Sequence, residues 1–198
     1  MVLAGVSIEE EKLASLRAIG VQDSKLLSPT QREGLYKKII KLVKAYKTII
    51  VPAKEIDQAV ESKTINLNTL EAQKFAQLIN FLKPEIAIVD CPSTNISAYT
   101  EQLKTYLKTK VNLRCEHKAE KYPSVAAASI LAKVTRDKEV ENLKKKYDID
   151  FGSGYPSDPN TQMFLKDNWN KYPSLFRKSW ATYKRYSEAK KQKTLKDF

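Results

Sequence analysis

The chain has 198 residues, with 42% hydrophobic residues, 29% charged residues and a formal net charge of +12. This composition excludes a disordered chain and is typical of a soluble protein with one sizeable core and an appendage. The excess of lysine and arginine indicates a polyanionic partner, nucleic acid being the commonest, although a lysine-rich thermophile surface is the alternative interpretation.

The first quarter of the chain predicts two strands that flank helices. Val2–Ile8 and Thr48–Val51 have the composition of strands, and Glu9–Ala18 that of a short charged helix. Ser28, followed by a proline and by glutamine at the third helical position, predicts an N-cap. Apolar residues then recur at helical spacing as far as Tyr46.

The middle of the chain continues this alternation. A capping box at Asn68 predicts a helix that ends before Pro84, and the apolar run Ile86–Val89 is the pattern of a strand buried on both faces. A helix around Ile96–Leu107, another strand and a long helix follow, so the order of elements predicts an α/β fold with a partly parallel, covered sheet. That strand is Val111–Cys115, and the long helix runs from Pro123 to Lys146.

The cysteine content argues against a structural metal. Two cysteines, Cys91 and Cys115, and a single histidine, His117, cannot complete a four-ligand zinc site. Two reduced, buried thiols are therefore expected. Because there is no apolar run of membrane-spanning length and no secretory signal, the sequence predicts a cytoplasmic protein without membrane contact.

Asp90 is the leading candidate for chemistry, because α/β sheets place their sites at the carboxyl ends of strands. Glu120 follows the next strand, and two carboxylates that converge there repel each other unless a cation such as Mg²⁺ or Mn²⁺ lies between them. The alternative is that Asp90 caps the turn at Cys91. Asp137 and His117 are weaker candidates, since a helix-surface ion pair explains the first and a phosphate contact or plain solvation the second.

The segment Gly152–Asp158 is a turn-rich loop whose glycines permit close approach to a ligand and whose consecutive N–H groups can form an anion-binding nest. Tyr155 then offers a ring to stack on a sugar or base and a hydroxyl to bond a ribose 2′-OH. Asp158 followed by proline is also the pattern of a helix N-cap. Farther on, we interpret the aromatic residues as core packing and the cations, including the lysines from Lys190 onward, as phosphate-attracting.

Several segments together resemble ribonuclease HII, in particular its archaeal form. They occur in the family's order over nearly the whole chain: Asp23-Ser24-Lys25, Leu67-Asn68-x-x-Glu71, Val89-Asp90, His117-Lys118-Ala119, Ala127–Asp137 and Gly152–Asp158. The resemblance implies a ribonuclease H-like fold, with a five-stranded mixed sheet flanked by helices and a helical C-terminal appendage. It also implies metal-dependent endonucleolytic cleavage of RNA in RNA–DNA hybrids and at single ribonucleotides embedded in duplex DNA.

The resemblance also assigns roles to individual residues. Asp90 takes the place of one of four metal-binding carboxylates, Tyr155 matches the tyrosine at the ribose of the RNA–DNA junction, and three lysines fall in motifs near the substrate backbone. These lysines are Lys25, Lys118 and Lys133. The implied cofactor is Mg²⁺ or Mn²⁺, with paired ions about 3.5–4 Å apart, and the implied partner is RNA–DNA hybrid or ribonucleotide-containing duplex DNA.

The chain departs from the family pattern in two places. The family opens with a central strand that carries Asp-Glu-Ala-Gly-Arg-Gly, whereas Met1–Val6 resembles the family's second strand. Around Glu120 the spacing is one residue shorter, so Glu120 is either the fourth carboxylate on a longer arm or the neighbour of a deleted aspartate. We ascribe the first departure to a misplaced start or a trimmed sequence, because a missing central strand leaves backbone groups unpaired.

These departures shape the remaining expectations. We expect little activity from this sequence, and a non-catalytic nucleic-acid-binding relative is the alternative function. Residues 1–147 are predicted to form an N-terminally incomplete catalytic domain, and residues 148–198 the substrate loop and helical appendage. A monomer is expected.

Overall fold

The computed structural model describes the backbone of residues 1–196 and the side chains of residues 1–188, so the lysines from Lys190 onward lie outside the described side chains. Two compact units are present. The sheet unit comprises Val2–Ile50 and Leu67–Arg136, and the helical unit comprises Met1, Val51–Asn66 and Asp137–Phe198. The division into residues 1–147 and 148–198 stays a prediction. None of the described helices is both long and apolar enough to cross a bilayer.

The sheet unit alternates strands with helices, as the sequence predicted. Its strands are β1 (Val2–Ser7), β2 (Ala45–Ile50), β3 (Ile86–Asp90) and β4 (Asn112–Glu116). Its helices are α1 (Leu13–Ala18), α2 (Pro29–Leu42), α4 (Leu67–Leu82), α5 (Ile96–Thr105) and the first half of α6 (Pro123–Tyr147), with short 3₁₀ turns at Glu10–Lys12, Ser24–Leu26 and Ala119–Lys121.

The helical unit contains the rest of α6 and three further helices. These are α3 (Ala53–Glu61), α7 (Pro159–Asn168) and α8 (Ala181–Lys196). Helix α3 was not predicted from the sequence.

The four strands form two separate ladders. Strand β1 runs antiparallel to β2, with Val2 opposite Ile50, and β3 runs parallel to β4, with Asp90 opposite Glu116. The five-stranded sheet implied by the resemblance is therefore not formed among the described residues, because no segment there hydrogen-bonds to both β1 and β3.

The antiparallel ladder is covered on both faces. Ala4, Val6 and Ile8 pack against an apolar cluster built from α1, α2 and α6. Gly5 points the other way, and a Cβ atom there would lie 2.9 Å from Cδ1 of Leu82 on α4. The absence of a side chain at this position thus lets α4 approach the ladder closely.

The parallel ladder buries one face. Ala87 and Val89 on β3 join Cys91 and Cys115 in a cluster with α4 and α5. Ile86 is 50% exposed, so the prediction that this strand is buried on both faces is wrong. Both cysteines are free and buried, which confirms the expectation of reduced thiols.

Two helix boundaries differ from prediction and one is confirmed. Helix α2 ends at Leu42, because Val43 is extended, and Tyr46 lies in β2 rather than in the helix. Helix α4 begins at Leu67, so the capping box predicted at Asn68 is wrong. The capping box at Ser28 is confirmed: its Oγ accepts the N–H of the third helical residue, 3.3 Å away.

The helical unit has its own aromatic core. Phe151, Leu165, Phe176 and Tyr183 are buried together, with Trp180 partly buried against them. The interpretation of these aromatics as packing residues is confirmed.

A buried carboxylate stabilises the segment that leads into α8. Asp57 on α3 is 8% exposed, and it accepts hydrogen bonds from the N–H groups of Lys178 (2.8 Å) and Ser179 (3.0 Å). These two N–H groups belong to the residues just before Trp180, which α8 follows, and the carboxylate supplies the acceptor that each of them needs.

Candidate functional site

Parallel pairing brings two carboxylates together at the end of the β3–β4 ladder. Asp90 lies opposite Glu116, and the ladder continues with a 2.9 Å bond from the Cys91 N–H to the Glu116 carbonyl. Residues paired in a sheet point to the same face, so the two carboxylates are neighbours. Glu116 was missed by the sequence reasoning, although its place at the end of a predicted strand was the available signal.

The Glu116 carboxylate is held by two partners. Lys121 Nζ lies 2.5 Å from its Oε2, and the Tyr122 hydroxyl donates to its Oε1 over 2.9 Å. The pKa of Glu116 is lowered, chiefly by the Lys121 hydrogen bond and then by that of Tyr122. The same contact with Glu116 raises the pKa of Lys121. Glu116 is therefore ionised at neutral pH and its charge is compensated locally.

Asp90 connects β3 to the turn that precedes Glu120. Its Oδ1 accepts the N–H of Ala119 over 3.1 Å, rather than an N–H of the turn at Cys91. Lys118, just before Ala119, has left-handed backbone angles (φ 55°, ψ 42°), an uncommon conformation for a residue with a side chain. The bond to Asp90 helps to maintain this turn, and it attaches the residue before Glu120 to the end of β3.

Glu120 lies in a recess of about 450 Å³ at the surface of the sheet unit. Its Oε1 is 3.6 Å from Nζ of Lys25, whose side chain is 80% exposed. The recess mixes two carboxylates with three ammonium groups, and its lining consists of Asp23, Lys25, Lys118, Glu120 and Lys121. Three of the site residues proposed from the sequence, Lys25, Lys118 and Glu120, thus lie together in this recess. Asp90 is not part of its lining.

His117 is held by the strand end. Its Nδ1 lies 3.1 Å from the carbonyl oxygen of Cys91. A carbonyl only accepts hydrogen bonds, so Nδ1 carries the proton and Nε2 is left to other partners. The ring remains exposed to solvent.

Two predicted site residues lie outside the recess. Lys133 is half-buried on α6, and Tyr155 belongs to the helical unit, where its side chain is 41% exposed. Neither lines the recess around Glu120.

The Gly152–Asp158 loop is closed by its own side chains. The Gly152 N–H donates to Asp150 (2.9 Å), and the Ser153 N–H to Oδ2 of Asp158 (2.5 Å). The Gly154 N–H donates to the hydroxyl of Thr161 (2.9 Å). The anion-binding nest predicted here is therefore wrong, because these donors are already engaged. Asp158 also accepts the Asn160 N–H, which confirms the predicted N-cap.

The loop should loosen in acid. Hydrogen bonds from Ser153, followed by those from Asn160 and Thr161, lower the pKa of Asp158 to about 2 from its ordinary value of 3.8. A depressed carboxyl pKa contributes stability that is complete above about pH 5 and is lost as the pH falls towards 2. We expect the protection factor of the Ser153 amide, the ratio of its intrinsic exchange rate to its observed rate at the same pH, to fall over that interval, as measured by NMR. Asp158→Asn should exchange fast at every pH, and a pH-independent wild-type loop would contradict this account.

The described side chains limit which metal ions the site can hold. No group of three or more histidine, cysteine, aspartate or glutamate side chains in residues 1–188 has the arrangement of a metal cage. Mg²⁺ does not need one, since it keeps several waters and is often held by one or two carboxylates together with substrate phosphates. Asp90 and Glu120 are carboxylates of the type that such an ion takes, and the N–H of Ala119, the residue before Glu120, donates to Asp90.

Strands covered by helices, with carboxylates bordered by lysines at the strand ends, make this an α/β protein. Its likeness to the crystal structure of ribonuclease H2 from Pyrococcus horikoshii, with a TM-score of 0.81 at 39% identity over 96% of this chain and 98% of that one, gives the fold as ribonuclease H-like. The profile of the ribonuclease HII family matches residues 1–183. The chain belongs to the ribonuclease HII family and is an enzyme of the ribonuclease H type 2 class. The family assigns it ribonuclease activity on RNA–DNA hybrids.

Individual relatives agree with this assignment. Ribonuclease HII of Pyrococcus furiosus is 41% identical over 199 residues, a match that covers 98% of this chain and 87% of the relative. The ribonuclease HII in the PCNA:RNase HII complex of Archaeoglobus fulgidus superposes with a TM-score of 0.81 at 40% identity, covering 93% of this chain and 88% of that one. Bst-RNase HIII in complex with Mn²⁺ has the same fold, with a TM-score of 0.77 at 19% identity over 96% of this chain and 65% of that one.

Proposed function

We propose that this chain hydrolyses the RNA strand of RNA–DNA hybrids, and cleaves at single ribonucleotides in duplex DNA, in a reaction that depends on Mg²⁺ or Mn²⁺. The observation that carries the proposal is the group of carboxylates around the end of the β3–β4 ladder, Asp90, Glu116 and Glu120, with lysines beside them. Oxygen ligands that face a polyanion-attracting surface are what divalent-ion phosphodiester cleavage requires.

We assign metal binding to Asp90 and Glu120. A divalent ion, when bound, supplies Lewis-acid activation of a water and neutralises charge on the phosphate. Glu116 is already paired with Lys121 and serves to hold the strand end in shape. Because two carboxylates suit one hydrated ion better than a closely spaced pair, we expect slow cleavage.

The lysines of the recess have a separate task. Lys25, Lys118 and Lys121 present ammonium groups at the rim, where a sugar–phosphate backbone can replace water. Lys133 is a further backbone contact in this proposal. Tyr155 is proposed to pack against the ribose at the RNA–DNA junction, which would let the enzyme distinguish RNA from DNA through the 2′-OH.

The proposal is tested with three labelled duplexes of one sequence: an RNA–DNA hybrid, a DNA duplex with one ribonucleotide, and all DNA. We expect cleavage of the first two with Mg²⁺ or Mn²⁺, none with EDTA, and none of all DNA. Tyr155→Ala should weaken the discrimination for a ribonucleotide at the cut site, measured as the ratio of the cleavage rate of the ribonucleotide-containing duplex to that of the all-DNA duplex. The second candidate function is that of a non-catalytic nucleic-acid-binding protein, and the net charge of +12 supports it. A chain that binds the hybrid but leaves it uncut at every metal concentration would be such a protein.

A protein partner is also proposed. The A. fulgidus relative was solved as a PCNA:RNase HII complex, and we propose that this chain binds PCNA too. Residues 190–198 contain two apolar side chains, Leu195 and Phe198, among four lysines, and apolar residues are what a groove on a protein partner takes up. Removing residues 190–198 should abolish comigration with A. fulgidus PCNA on gel filtration. Unaltered comigration would exclude the tail as the contact.

A further inference from the structure

A buried arginine supports the loop from which Lys25 projects. Arg32 on α2 is only 8% exposed, and its Nη1 donates to the carbonyl oxygens of Ser24 (3.1 Å) and Leu27 (2.5 Å). These two carbonyls lie at the start of the Ser24–Leu26 turn and just after it, so one guanidinium fixes both ends. A buried charge of this kind is tolerated only when it is hydrogen-bonded.

The same loop has a second anchor on another element. The hydroxyl of Ser24, which is 6% exposed, lies 2.8 Å from that of Ser129 on α6. Within the turn, Asp23 accepts the N–H groups of Lys25 (2.9 Å) and Leu26 (3.0 Å). The backbone of the loop is thus attached to α2, to α6 and to itself.

Lys25 is the residue whose position these contacts determine. Its backbone lies between the two carbonyls that Arg32 holds, while its side chain is 80% exposed and its Nζ is 3.6 Å from Glu120. A lysine on a flexible loop loses both backbone and side-chain freedom when it engages a phosphate. On a fixed loop it loses side-chain freedom alone.

We propose that Arg32 is a positioning residue for nucleic-acid binding, which acts by holding the Asp23–Leu27 loop so that Lys25 meets a substrate phosphate. The inference rests on the proposed function, since it assumes that Lys25 contacts the hybrid backbone. Arg32 itself is buried and touches no ligand in this account. Ser129 acts in the same way from α6.

The test is a double-mutant cycle on hybrid binding in EDTA. Arg32→Met keeps the apolar stem and removes the donors, and Lys25→Ala removes the phosphate contact. Each single change should weaken binding of an RNA–DNA hybrid by about threefold to tenfold, which corresponds to losing or disordering one charged side chain. Each should also lower the slope of log K against log salt by about 0.9, the value for one phosphate. The double variant should bind no more weakly than Lys25→Ala.

The control is Arg17→Met, which removes the same charge from an exposed position on α1 in the same unit and should leave the salt slope unchanged. If Arg32→Met does not fold, Ser129→Ala takes its place in the cycle. The proposal is overturned if the effects of the two changes on binding multiply. It is also overturned if Arg32→Met lowers the melting temperature but leaves the salt slope at its wild-type value, because Arg32 then has a purely structural role.

One further measurement separates this proposal from the function on which it rests. Amide exchange at Leu26 reports on the loop without any substrate, and Arg32→Met should accelerate it at least about tenfold, because local opening then requires less free energy. If exchange is unchanged, Arg32 does not hold the loop and the proposal fails. If the wild-type chain does not bind hybrid at all, the proposed function fails, whereas the exchange result still decides whether the loop is held.

Discussion

Replacing Asp90 with asparagine is expected to abolish cleavage while the protein stays folded. Asparagine keeps the oxygen that accepts the Ala119 N–H but loses the negative charge. Losing a partner of a metal ligand costs about 10–100-fold in metal affinity or activity, and losing a ligand itself should reach at least the upper end of that range. Mn²⁺ affinity, measured by electron paramagnetic resonance, and hybrid cleavage should fall together, whereas hybrid binding in EDTA should persist.

Two further variants make this experiment decisive. Asp90→Ala also removes the acceptor for Ala119, so it should lower the melting temperature as well as the Mn²⁺ affinity. Glu101→Gln removes an equal charge from an exposed ion pair with Lys104 on α5 and should change neither property. An asparagine variant that unfolds, or one that binds Mn²⁺ normally, would show that Asp90 is a structural residue.

Asp57→Ala should clearly destabilise the helical unit. It removes the acceptor of the partly buried N–H groups of Lys178 and Ser179, which costs about 2–4 kcal/mol in the free energy of unfolding. For a protein of this size the melting temperature should fall by about 5–15 °C. The urea midpoint should fall without a change in slope, as measured by circular dichroism.

Asp57→Asn is the matched variant for that experiment. Asparagine retains one acceptor oxygen and turns an NH₂ group towards the second N–H, so its stability should lie between that of the wild type and that of the alanine variant. Equal stability of all three proteins would mean that water replaces the carboxylate without loss. It would contradict the role assigned to the two hydrogen bonds of Asp57.

The sequence anticipated the elements whose signals are local. The proline and glutamine after Ser28 and the proline after Asp158 located two helix starts, because capping chemistry acts within one turn. Asp90 was placed correctly at a strand end for a similar reason, since a short apolar run followed by a carboxylate is typical of a buried strand that ends at the surface. Aromatic residues at helical spacing, such as Phe176 and Tyr183, were correctly interpreted as core.

Two of the failures came from the pairing of distant strands, and one from side chains of the following helix start. Tyr46 fits the helical period of α2, yet pairing of β2 with β1 takes it into a strand. The glycine-rich loop has the composition of an anion nest, but Asp158 and Thr161 fill it from α7 and its N-cap. Glu116 was overlooked because only the parallel register of β3 and β4 places it next to Asp90. Neither strand pairing has a signature within one window of sequence.

The packing of α4 has a consequence for the whole sheet unit. A two-stranded ladder is at best marginally stable in water, and α4 packs against both ladders. It approaches β1 closely at Gly5, which has no side chain, and its residues Ala72 and Ile79 belong to the apolar cluster that contains β3. The ladders should therefore gain and lose order together, as a single cooperative folding unit centred on α4. Shortening side chains along α4 would destabilise the β3–β4 ladder and with it the position of Asp90 at the end of β3. A substitution in α4 would therefore lower both the stability of the fold and the activity of the site.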